Sequence, residues 1–121
     1  MKWDVEYTDE FERWWNRLNE AEQDSVQATV ILLGEDGPHL SFPYTSDIKG
    51  SRHGNLRELR VQHAGRPYRV LYAFDPRRCA ILLIGGDKTG QDRWYQVHVP
   101  LAERLYQEHL EILKKEGGDN G

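Results

Sequence analysis

Residues 2–7 alternate Trp3, Val5 and Tyr7 against Lys2, Asp4 and Glu6, the period-two pattern of a strand. Thr8 then precedes Asp9 and Glu10, a helix start with its acids at the positive end of the dipole. Phe11, Trp14, Trp15 and Leu18 follow at i, i+3, i+4 and i+7 and give that helix one apolar face. Asn19 with Glu22 three residues on has capping-box spacing and opens a second helix. Val26, Val30 and Leu33 are its stripe, and Gly34 is expected to end it. The two helices read as an antiparallel hairpin.

From Glu35 to Asn55 the chain is rich in Gly, Pro and Ser with little periodicity, which predicts a long irregular connection. Three strands follow. In the first, Leu56, Glu58 and Arg60 lie on one side and Arg57, Leu59 and Val61 on the other. The second, Tyr68–Phe74, comes after a turn around Gly65 and Pro67. The third, Ala80–Ile84, comes after the turn at Asp75-Pro76, and its unbroken apolar run marks a central, doubly covered strand. Such short turns predict an antiparallel meander. Gly85 to Arg93 reads as a second irregular loop, and Pro100 suits the first turn of a last helix carrying Leu105, Leu110, Ile112 and Leu113. The order β-α-α-β-β-β-α predicts an α+β domain over residues 1–116, helices on one face of the sheet, with a flexible tail over 117–121.

Composition narrows the function. With 38% hydrophobic and 30% charged residues the chain should fold, and no stretch reaches the roughly 20 apolar residues of a membrane span. The start of the chain has no apolar leader and Cys79 is the single cysteine, so a cytoplasmic protein without a disulfide is expected, with no membrane partner. The net charge of -4 hides an asymmetry. Residues 1–47 hold 3 Lys+Arg against 11 Asp+Glu, whereas residues 48–95 hold 10 against 4. A basic middle of this kind suits a localised anion site. The acidic residues of the hairpin would repel RNA and attract a basic partner.

Most catalytic motifs are missing. Gly85-Gly86-Asp87-Lys88-Thr89 lacks the upstream glycine spacing of a phosphate-binding loop, and the five histidines show no metal spacing. Cys79, with no histidine fixed beside it, reads as a small buried hydrophobe. The remaining chemistry is cationic. Arg60, Arg69 and the Lys88–Tyr95 segment are expected to converge on the sheet face that the helices leave open, flanked by Arg57 and Arg66 and by Arg93 and Trp94. Arginines with interleaved aromatics suit phosphates and stacked bases. They also suit metal-free RNA cleavage by the substrate's own 2'-OH, where cations offset the extra charge on phosphorus. On this reading Arg69 serves activity rather than stability. Cross-strand pairing of Arg60 and Arg69 with Glu58 and Asp75 fits the same residues equally well.

The run Lys49-Gly50-Ser51-Arg52-His53-Gly54-Asn55-Leu56-Arg57-Glu58-Leu59-Arg60 continues through Gly65-Arg66-Pro67-Tyr68-Arg69-Val70-Leu71-Tyr72 to Gly85-Gly86-Asp87-Lys88-Thr89. In that order it resembles the phage-derived, HigB-like branch of the RelE/ParE superfamily of type II toxins. The resemblance implies a RelE-like fold and a ribosome-dependent mRNA endoribonuclease without a cofactor. It also implies a helix-turn-helix antitoxin encoded nearby. It assigns catalytic roles to Arg69 at the phosphate, to Arg60 and Lys88 as further basic groups, and to Tyr95 near the scissile nucleotide. His63 joins Arg57, Arg66, Arg93 and Trp94 as RNA contacts. The chain departs from its basic relatives in being net negative. The alternative is a phage-derived domain of the same fold that binds RNA or protein without cutting.

Overall fold

A computed structural model describes residues 2–49, 51 and 55–118. In chain order its elements are β1 (Val5–Tyr7), α1 (Asp9–Arg17), α2 (Glu20–Asp36), a 3-10 turn (Gly37–His39), β2 (Thr45–Asp47), β3 (Arg57–His63), β4 (Arg66–Phe74), β5 (Ala80–Asp87) and α3 (Trp94–Gly118). The sheet order is β1-β5-β4-β3-β2, with β1 parallel to β5 and the other pairs antiparallel. Of the expected tail, 117 and 118 continue α3, and 119–121 lie outside the described residues, as do Gly50, Arg52, His53 and Gly54 of the quoted run.

The local signals act as their chemistry requires. Thr8 Oγ1 accepts from Phe11 N at 3.0 Å, and Asn19 and Glu22 exchange reciprocal 2.8 Å bonds as a capping box. The helix expected to stop at Gly34 runs on to Asp36, and Gly37 ends it with φ of 55°. A Cβ at Gly37 would lie 2.4 Å from the Trp3 ring, so glycine is needed there for space as well as conformation.

Helices cover both faces of the sheet, not one. On the first face α1 and α2 bring Phe11, Trp14, Val26 and Leu33 onto Leu59, Val61, Tyr68, Val70, Tyr72 and Leu82. On the second, α3 brings Trp94, Ala102, Leu105 and Tyr106 onto Leu56, Leu71, Ala73, Ile81 and Leu83. A helical layer on each face of the sheet suits the unbroken apolar run of β5. Helix α3 begins at Trp94, six residues before Pro100, because burying the Trp94 indole anchors its first turn, and Pro100 falls inside the helix. The long connection also contains β2, whose Thr45 side chain is buried and donates to Glu58 O at 2.9 Å.

One residue of register decides which way the end of β5 faces. Leu71 pairs with Ile84 but Tyr72 pairs with Leu82, so Leu83 is an extra residue. Past that shift Gly85 lies under Trp14 of α1 and Gly86 under Trp94 of α3, where added Cβ atoms would meet the rings at 2.3 and 2.7 Å. The glycine pair expected in a loop therefore sits in a strand, making room for a tryptophan on each face. Beyond Phe74, Asp75 accepts from Arg77 and Cys79 N and pairs with His109 at 2.9 Å, which ties the later turns of α3 to the sheet. Burial alone would raise the Asp75 carboxyl, but the bonds from Arg77 and His109 hold it below the usual range.

Gly85→Ala is expected to destabilise the fold by about 1–3 kcal/mol, because the added Cβ meets the buried Trp14 ring, which is packed against Phe11 and Tyr68. Urea unfolding reads this as a lowered midpoint; an unchanged midpoint would mean that Trp14 repacks freely.

Candidate functional site

Antiparallel pairing puts Arg60 of β3 directly opposite Arg69 of β4, and Gly86 of β5 is the next neighbour across. Like charges so placed repel. Glu58, two residues before Arg60 and hence on the same face, compensates them. Its Oε1 lies 3.3 Å from Arg69 Nε, and its Oε2 lies 3.6 Å from Arg60 Nη1. Ser46 of β2 donates to Oε2 at 2.5 Å, and the Tyr95 hydroxyl donates to Oε1 at 2.5 Å. Arg69 Nη1 donates to Tyr68 O at 3.0 Å, while its Nε faces Glu58 without hydrogen-bond geometry. Burial, and then the bond to Glu58, raise the Tyr95 hydroxyl above its ordinary pKa, with Arg69 opposing.

Burial divides the pair. The Arg69 side chain is 5% exposed and that of Arg60 31%. Arg69 is therefore not on an open sheet face as expected from the sequence: its face is the one α3 covers, and its side chain is buried beside Glu58. The cross-strand pairing with Glu58 is present, whereas Asp75 pairs elsewhere. Lys88 Nζ sits 4.9 Å from the centre of the Tyr95 ring. Pro67, Lys88, Thr89, Gly90, Gln91, Asp92 and Tyr95 line an adjoining groove of about 490 Å³. On the other side, the Arg60 guanidinium lies 5.0 Å over the ring of Phe42, which is 70% exposed. Sequence reasoning missed Phe42; its only signal was an aromatic residue in a polar connection.

The remaining predicted contacts separate. Arg57, in phase with Leu59 and Val61, faces the hairpin side and pairs with Asp47 at 2.5 Å. His63 Nδ1 bonds Ser25 Oγ of α2 at 2.7 Å, and Arg66 pairs with Glu22 and Asp87, so both help seat the hairpin. Glu22 also accepts from the Tyr68 hydroxyl, so it is a structural acid and not a free surface charge. Trp94 is 2% exposed and stacked on His98 with ring centres 4.1 Å apart, so it presents no face to a base. Arg93 is exposed at the start of α3, with Nε 2.9 Å from Gln96 Oε1. The site is thus Arg60, Arg69, Lys88 and Tyr95 with Glu58, Ser46 and Phe42. Among the described residues no group of three or more His, Cys, Asp or Glu could hold a metal ion, and no helix is long and apolar enough to cross a membrane.

Residues 13–107 match the family described as phage-derived protein Gp49-like. Over 94 residues, 77% of this chain and 81% of the relative, the chain is 44% identical to a candidate toxin named HigB3 of Mycobacterium tuberculosis. It is 40% identical over 111 residues to a second, named HigB2, spanning 88% of this chain but only 55% of that relative. Among solved structures, a mutant of the E. coli toxin RelE in the free state superposes with a TM-score of 0.59 at 10% identity, over 81% of this chain and 96% of that one. The archaeal RelE-RelB complex from Pyrococcus horikoshii gives 0.55 at 18% identity, over 75% and 99%. At such identities the likeness is one of fold, and the fold is RelE-like.

The sequence reading assigns Arg69 a role in activity and not in stability; buried against Glu58, it holds the fold as well. Arg69→Ala is expected to cost about 3 kcal/mol in a urea denaturation, because it strips Glu58 of its most buried counter-charge. Arg60→Ala, at a half-open position, should cost under about 1 kcal/mol. Equal costs would place the two arginines in the same environment.

Proposed function

Since the chain belongs to the phage-derived Gp49-like family, we propose that it is a type II toxin that cleaves mRNA on the ribosome through the Arg60-Arg69-Lys88-Tyr95 site. The observation that carries this reading is the convergence of those four residues on Glu58 beside an open groove, with exposed Phe42 under Arg60 on the side away from it. In the reaction the 2'-hydroxyl gives up its proton as its oxygen bonds to phosphorus. The bond from phosphorus to the 5'-oxygen breaks and that oxygen takes up a proton, and negative charge builds on the phosphoryl oxygens in between. Lys88 lines the groove and Arg60 is held to the same carboxylate as Tyr95, so both can meet that charge, and Arg69 adds a fixed, buried positive charge beside Glu58. Phe42 under Arg60 offers a stacking surface for a base. The groups are the chain's own, and the proposed cleavage needs no cofactor.

A RelE–RelB toxin–antitoxin complex from E. coli superposes with a TM-score of 0.52 at 9% identity, over 69% of this chain and 94% of that one. By extension the partner here is an antitoxin with a helix-turn-helix, encoded nearby. The reading places the active unit in one domain over residues 1–116, working in the cytoplasm where ribosomes are. The net negative charge is compatible with RNA because the hairpin acids lie across the sheet from the site, and a Debye length of about 10 Å at 0.1 M salt screens them. One observation favours the second reading, a binding domain that does not cut: Arg69 is only 4% exposed.

Expression in a bacterium with and without the neighbouring reading frame, paired with cleavage of ribosome-bound mRNA, separates the readings. The chain alone should arrest growth and cut mRNA on ribosomes, with affinity falling steeply between about 50 and 200 mM salt. The Arg60→Ala/Lys88→Ala pair should cut about a hundredfold more slowly or worse. Binding to ribosomes without cleavage would establish the second reading instead.

A further inference from the structure

Glu58 is a carboxylate with a side chain 7% exposed at the centre of this site, and a charge so placed persists only with good partners. Its two oxygens divide them. Oε1 takes the Tyr95 hydroxyl and faces Arg69, while Oε2 takes the Ser46 hydroxyl and faces Arg60. Its backbone is held from both sides, opposite Ser46 on β2 and Leu71 on β4. No other acid pairs with either arginine of the site among the described residues. The one acid paired with these arginines thus touches Arg60, Arg69 and the groove-lining Tyr95.

The direction of the Tyr95 bond matters most. Its hydroxyl donates its only proton inward to Glu58. Toward the groove, which Tyr95 lines, the phenol oxygen therefore acts as an acceptor. We propose that Glu58 is a positioning residue for RNA cleavage: it aims the Tyr95 oxygen as an acceptor and fixes the Arg69 guanidinium behind the phosphate, without touching RNA itself. This rests on the ribonuclease reading above. The raised Tyr95 pKa agrees with it, because a neutral phenol keeps the proton that Glu58 holds.

Glu58→Gln tests the idea, since the amide keeps the shape and the acceptor oxygen but removes the charge. Phenolate absorbance is titrated for the intact chain and for Glu58→Gln, each against its Tyr95→Phe counterpart, to isolate Tyr95. Single-turnover cleavage and ribosome affinity are measured on the same proteins. The Tyr95 midpoint should move down in Glu58→Gln, cleavage should slow by about a hundredfold, and affinity should stay within about twofold. Glu58→Asp, which keeps the charge, should recover part of the rate. An unmoved Tyr95 midpoint overturns the proposal, as does a wild-type rate in Glu58→Gln. Equal losses of rate and affinity also overturn it, because they mark a merely structural acid. If the unaltered chain cuts nothing on ribosomes, the ribonuclease reading fails and the proposed role in cleavage falls with it; a lowered midpoint would then show only that Glu58 holds Tyr95.

Discussion

Two arginines set directly opposite on adjacent strands, one almost wholly buried, cannot coexist without a negative charge between them. Glu58 supplies it, and much of the site follows. Ser46 reaches Glu58 only because β2 adds to the sheet edge, and Tyr95 reaches it only because α3 starts at Trp94. The indole buried against Gly86 and the hydroxyl bonded to Glu58 are consecutive residues, so seating one places the other. Packing and chemistry meet in a single turn of helix.

The two faces of the sheet divide the work. The hairpin side holds a dense aromatic core, with the Trp14 ring in contact with both Phe11 and Tyr68, and gathers the acids of α1 and α2. The α3 side is covered only in part, and the basic site opens where that cover stops. The Leu83 bulge sets the phase in which Gly86 lies beside Arg69, and it fixes the strand end from which Lys88 follows. Without it the end of β5 would turn its other face to α3.

Much of this was legible in the sequence. Helix caps, the meander and the strand faces of Glu58, Arg60, Leu59 and Val61 followed from side-chain type and period. Features set by tertiary pairing did not. Thr45-Ser46-Asp47 has no apolar alternation and is a strand only because β3 offers a partner. A bulge leaves no mark in an apolar run such as Ala80–Ile84. Trp94 looked like a stacking surface because burial is not written in residue type, and His63, Arg57 and Arg66 were separated from the site by strand phase and their own partners. Glu58 was visible only as a pairing partner, and its bond to Tyr95 spans 37 residues of chain.

The account depends on Glu58 and Arg69 acting as one unit. A double-mutant cycle in urea, with Glu58→Gln, Arg69→Met and the pair together, measures this directly. A coupling of about 1–3 kcal/mol is predicted, the double variant being less damaged than the sum of the singles. Additivity within about 0.3–0.5 kcal/mol would contradict it, and would leave the opposed arginines without their counter-charge.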